Sequence, residues 1–158
     1  MINILVVCTA NICRSPMGAA LLRGEVERRD LSDAWQVHSA GTWAGYGSPA
    51  SEFSVLEMSE RGLDIANHRS QPITDELLRN AKVVLVMARD HRAAISAEFP
   101  TQAEKVFLFS ELGGSDYDIV DPIGQLRTEY AACARELETL LNQGFDWLVE
   151  LATGPAAK

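Results

Sequence analysis

The chain has 158 residues, 47% hydrophobic and 23% charged, the make-up of a single globular domain with a substantial core. Its 14 Lys and Arg against 22 Asp and Glu leave a net charge of −8. That excludes a general nucleic-acid binder, because affinity for a phosphate backbone needs concentrated positive charge. No apolar run approaches the roughly 18 residues of a spanning helix, so no membrane association is expected.

Residues 2–7 form an apolar run, broken only by Asn3, that is too short and too β-branched for a buried helix and reads as a strand. The same opening lacks a basic leader and a cleavage pattern, and three cysteines here make no disulfide framework. A reducing cytoplasm is the expected location. Ser15 and Pro16 read as the N-cap and first-turn proline of a helix carrying Met17, Ala20, Leu21 and Gly24 at helical spacing. Residues 36–40 read as a second strand ending in the turn Gly41-Thr42. A Gly/Ser/Pro-rich loop over 45–49 leads to a helix over 50–61 that Gly62 terminates. Strands follow at 83–87 and 105–109. The last helix carries the apolar stripe Leu126, Tyr130, Cys133, Leu137, Leu140 and Leu141, and residues 153–158 read as a frayed tail.

Strands separated by helices predict an α/β fold of three layers, a central four-stranded parallel sheet with helices on both faces, in one domain over 1–152. The crevice of such a sheet lies beyond the carboxyl ends of its strands. That rule points to Cys8-Thr9-Ala10-Asn11-Ile12-Cys13-Arg14-Ser15. A short loop entering a helix can aim several backbone N–H groups at one anion, and the helix N-terminus adds partial positive charge. Arg14 can grip two oxygens of a tetrahedral oxyanion through its planar fork, and the same field favours a thiolate at Cys8. A nucleophile inside an anion cradle suits phosphoryl transfer to sulfur. Cys8 and Cys13 lack a second ligand pair at zinc-finger spacing, so no metal is expected. The leaving oxygen needs a proton, and Asp121, stiffened by Pro122, is the first candidate, with Asp118 as its rival.

These residues resemble the low-molecular-weight protein tyrosine phosphatases. Cys8 to Pro16 is similar to the family's phosphate loop. Ser39-Ala40-Gly41-Thr42, Gly47-Ser48-Pro49-Ala50, Gly62-Leu63-Asp64 with His68-Arg69-Ser70, Val84 to Met87 with His91, and Asp118 to Pro122 follow in the family's order. The resemblance implies that Cys8 attacks phosphorus to form a phosphocysteine. Arg14 then binds the transferring group, and Asp121 protonates the leaving phenol and later activates water. It implies that Thr9, Ala10, Asn11, Ile12, Cys13 and Ser15 line the substrate site. Asn11 would be left-handed and held by Ser39 and His68, with Ser15 bonded to the Cys8 sulfur. Cys13 is placed to form a reversible disulfide with Cys8, and Cys133 reads as inert core.

Two departures stand out. Ala10 replaces a common glycine, harmless if its φ is negative. Ile123 stands where the family has an aromatic residue lining the phenol slot, so Trp43 is the candidate aromatic wall. Ile12 favours tyrosine over arginine specificity, since arginine-phosphatase relatives carry Thr there. The expected substrates are phosphotyrosine proteins, with a bacterial-type tyrosine kinase among them, acted on by a monomer without cofactor. Two alternatives compete. A thiol-linked arsenate reductase needs extra cysteines, and residues 81–99 contain none. A non-catalytic oxyanion or phosphoprotein binder would need no proton donor.

Overall fold

In the computed structural model, which describes residues 1–154, β1 (Ile2–Cys8) runs through the middle of the sheet. Its sequence explains the placement. Ile4, Leu5, Val6 and Val7 are all buried, so both faces of this strand have to be covered. β1 pairs in parallel with β2 (Trp35–Gly41) and β3 (Val83–Val86), and β3 pairs with β4 (Val106–Leu108), giving the order β2-β1-β3-β4. Among the described residues five α-helices connect and follow the strands: α1 (Arg14–Arg28), α2 (Glu52–Glu60), α3 (Asp75–Asn80), α4 (Arg89–Glu98) and α5 (Arg127–Thr153).

Side chains alternate across a strand, and β1 shows what that does here. Ile4, Val6 and Cys8 join a cluster with Met17 of α1, Met58 of α2 and Leu137 and Phe145 of α5. Leu5 and Val7 point the other way, to Leu78 of α3 and Ile95 of α4. The result is the expected three-layer α/β arrangement, with Cys8 at the carboxyl end of the central strand on the α1–α5 side. Glu57, buried in α2, accepts from Arg61 and from Arg127 at 2.9 Å, and so ties α2 to the start of α5.

Several local expectations need correction. Ser15 is not an N-cap. Arg14 is already helical and Cys13 occupies the cap without a side-chain bond, which frees the Ser15 hydroxyl for the loop. Leu126 is not on the α5 stripe, because its extended backbone precedes the helix and leaves it 75% exposed. The helix expected over 50–61 is shorter, Glu52–Glu60, with Gly62 at φ 74° beyond its end. Thr153 is still helical and Gly154 caps α5, while the rest of the expected tail lies outside the described residues. α3 went unread because six residues carry little period. It rests on Thr74, whose hydroxyl accepts from the Leu77 N–H at 3.1 Å.

Candidate active site

The carboxyl ends of β1 and β2 meet where Cys8 pairs with Gly41. A Cβ on Gly41 would lie 2.3 Å from the Thr9 carbonyl oxygen, so only glycine lets the loop after β1 lie this close. The Thr42 and Trp43 N–H groups then donate to the Cys8 and Thr9 carbonyls at 2.9 and 3.0 Å. Among the described residues, the N–H groups of Ala10, Asn11, Ile12 and Cys13 find no backbone acceptor. They are joined by the N–H groups of Arg14 and Ser15 at the start of α1, while Pro16 has none and Met17 donates to the Cys13 carbonyl at 3.3 Å.

Asn11 organises the loop. It is buried at φ 60°, and Asn11 and Asp30 are the only non-glycine residues at positive φ among the described residues, so Ala10 carries no such strain. Its Nδ2 donates to Ser15 Oγ at 2.8 Å and Ser39 Oγ at 3.0 Å, and its Oδ1 accepts from the Gln71 N–H at 3.0 Å. Its carbonyl oxygen lies 2.7 Å from His68 Nε2. A carbonyl only accepts, so Nε2 carries the hydrogen. Burial holds this imidazole below its usual range, against the Asn11 bond.

Cys8 Sγ lies 3.0 Å from Ser15 Oγ, both buried. Arg14, 5% exposed, donates from Nη1 to the Ile119 carbonyl at 2.8 Å. Its Nη2 lies 3.4 Å from both Thr9 Oγ1 and Asp121 Oδ2. Its Nε is buried without a partner among the described residues, a donor still available to an oxyanion. Asp121 accepts the Ile123 N–H on Oδ1 at 3.1 Å, which fixes its carboxylate beside Arg14. Asp118 points elsewhere. Its oxygens take the Arg89 N–H and guanidinium at 2.8 to 3.3 Å, and the Arg89 bonds hold its carboxyl below the usual range.

The remaining predicted residues divide. Trp43, the candidate aromatic wall, is tied to the loop through its backbone, and its side chain is 87% exposed. Ile123 is 48% exposed and Ile12 is partly buried against the core. Cys13 Sγ sits 3.3 Å from Ser51 Oγ and 3.5 Å from the Tyr130 hydroxyl, and burial pushes its thiol up. Burial also pushes Cys133 up to about 12. Sequence reasoning missed Gln71 and the Ile119 carbonyl, neither of which carries a local signal. His91, read only as part of a family block, reaches Thr9 Oγ1 from α4 at 2.8 Å.

A strand-terminal cysteine, a loop of N–H groups without backbone acceptors and an arginine clamped at a helix start are the make-up of a small α/β phosphatase. The family model described as low molecular weight phosphotyrosine protein phosphatase matches residues 3–152, and the chain belongs to that family. It is 38% identical over 142 residues to a protein-arginine-phosphatase of Bacillus subtilis, covering 89% of this chain and 93% of the relative. It is 40% identical over 120 residues to the probable low molecular weight protein-tyrosine-phosphatase EpsP of Ralstonia solanacearum, covering 76% and 77%. Among solved structures, a mutant of the arginine phosphatase YwlE with a phosphorylated active-site serine superposes with a TM-score of 0.89 at 35% identity, covering 94% of this chain and 97% of that one.

Proposed function

We propose that this phosphatase hydrolyses phosphotyrosine through a phosphocysteine at Cys8. The observation that carries the reading is the contact of Arg14 Nη2 with both Thr9 and Asp121, which brings the anion clamp and a carboxyl group to one place. The Cys8 sulfur attacks phosphorus, forming the S–P bond as the P–O ester bond breaks. The released electron pair stays on the phenolic oxygen, which takes the proton of Asp121. The Asp121 carboxylate then accepts a proton from water, and the water oxygen displaces sulfur from phosphorus. Ser15, 3.0 Å away, donates to the sulfur as it leaves.

Specificity for tyrosine draws its support from Ile12. A phosphorylated guanidinium carries N–H donors beside its phosphoryl group, and an isoleucine side chain has no acceptor for them. The proposed substrates are accordingly phosphotyrosine proteins, including a bacterial-type tyrosine kinase, met in the cytoplasm by a monomer whose residues 1–152 act as one domain. Among the described residues no helix is long and apolar enough to cross a membrane.

Phosphoarginine is the second reading, favoured by the arginine-phosphatase relative that matches 89% of the chain. The two part in a comparison of kcat/KM on phosphotyrosine, phosphoarginine and phosphoserine peptides. Wild type is expected to prefer phosphotyrosine, and Ile12→Thr to shift the ratio toward phosphoarginine by about tenfold or more, the worth of one substrate hydrogen bond. A wild-type preference for phosphoarginine replaces the first reading with the second.

A further inference from the structure

His91 stands in the first turn of α4, 1% exposed, with Nε2 against Thr9 Oγ1 and Nδ1 without any hydrogen-bond partner. A leucine there would bury its bulk without stranding a ring nitrogen, so packing alone gives no reason for an imidazole. The reason lies in what Thr9 touches next, the Arg14 Nη2 group at 3.4 Å. A guanidinium only donates, so Thr9 Oγ1 accepts from it. An unpartnered buried N–H is costlier than an unpartnered lone pair, which puts the imidazole hydrogen on Nε2, donating to Thr9. Both lone pairs of Oγ1 are then occupied, and the hydroxyl becomes a fixed strut between α4 and the guanidinium.

Burial pushes the ring below its usual range, with Arg14 acting the same way and Asp90, Asp121 and Asp118 opposing.

We propose that His91 is a positioning residue for Arg14: through the Thr9 hydroxyl it fixes Nη2, so that the unpartnered Nε is kept for a phosphoryl oxygen. The inference rests on the phosphatase reading of the loop, and does not depend on which phosphorylated residue is the substrate. Arg14 has its Nη1 pinned to Ile119 and its Nη2 shared between Asp121 and Thr9, and the Thr9 strut is the fixed point that persists when the Asp121 carboxyl carries a proton.

The test combines p-nitrophenyl phosphate kinetics with calorimetric binding of inorganic phosphate. The variants are His91→Leu, His91→Gln, Thr9→Val and the double Thr9→Val/His91→Leu. His91→Leu and Thr9→Val are each expected to lower kcat about tenfold, the scale of one hydrogen bond to a charged group, and to weaken phosphate binding. The fall in kcat exceeds any rise in KM, because the clamp tightens in the transition state. His91→Gln, which keeps an N–H donor, recovers most of the loss, and the double variant is no worse than Thr9→Val. Wild-type kcat and phosphate affinity in folded His91→Leu overturn the proposal. So do losses that simply add in the double variant, since the ring then acts by some other route. Should His91→Leu fail to fold, Thr9→Val with undiminished kcat and phosphate affinity overturns it alone. A wild type that turns over phosphoarginine but not phosphotyrosine overturns the proposed specificity and leaves this inference standing.

Discussion

Asn11 is the residue on which the loop geometry turns. It supplies three side-chain hydrogen bonds from a buried position while its backbone takes a conformation that costs most residues. Asn11→Ala removes the bonds and keeps the strain, and is expected to cost about 2–4 kcal/mol of stability by urea unfolding, since buried donors and acceptors are left unpaired. Asn11→Gly relieves the strain but not the lost bonds, so its midpoint is expected between alanine and wild type. Equal stability of all three would show that the network contributes nothing. Asp121 separates by chemistry instead. Asp121→Asn is expected to lower kcat on phosphotyrosine by about 10²–10⁴. The first step with an aryl phosphate whose phenol is strongly acidic is far less affected, because that oxygen leaves without a proton. An equal loss in the first step on both esters, read from kcat/KM, would contradict its role as a proton donor.

At the level of elements, the site is a meeting of segments distant in sequence, held by few bonds each. Asp118 and Arg89 fasten the acid loop to the N-terminus of α4, while the Ile119 carbonyl fastens it to Arg14. The carboxyl of Asp118 is depressed by the Arg89 bonds, so its contribution to stability is present above about pH 4 and disappears as the pH falls through the depressed value. Asp118→Asn is therefore expected to lose less stability than wild type on acidification from about pH 5 to about pH 3, read from urea midpoints. An identical acid limb in both proteins would contradict the pairing. How legible these elements were varies with how local their cause is. β1 declared itself through an apolar run broken only by Asn3, and α5 through a stripe sustained over several turns. α3 and α4 carry three buried side chains between them, Leu78, His91 and Ile95, too few to set a period. The loop residues could be picked out because strand, cysteine, arginine and proline stand in one short stretch. The Gln71 and His91 contacts could not, because they depend on how far β3 and the segment after α2 are carried in space.

Over the whole molecule, titration follows from how the chain's three histidines are placed. His38, His68 and His91 are each held below the usual range, burial being the first cause for all three. The unfolded chain thus binds more protons as the pH falls below about 6.5, and stability present above that value is lost progressively toward the depressed folded values. Urea midpoints are expected to fall from about pH 7.5 to about pH 5.5, and a rise over that range would contradict the placement of the rings. Catalysis gathers the same pieces into one claim, that the Cys8 sulfur carries the phosphoryl group between ester and water. Asp121→Asn supplies the most direct measurement, because an acidic phenol leaves unaided while hydrolysis of the intermediate still needs the missing base. Turnover of p-nitrophenyl phosphate by this variant, acid-quenched and examined by mass spectrometry, is predicted to yield a phosphate adduct on the Cys8 peptide together with a near-stoichiometric burst of phenol. An adduct on another residue, or turnover persisting at the wild-type rate in Cys8→Ser, would contradict it.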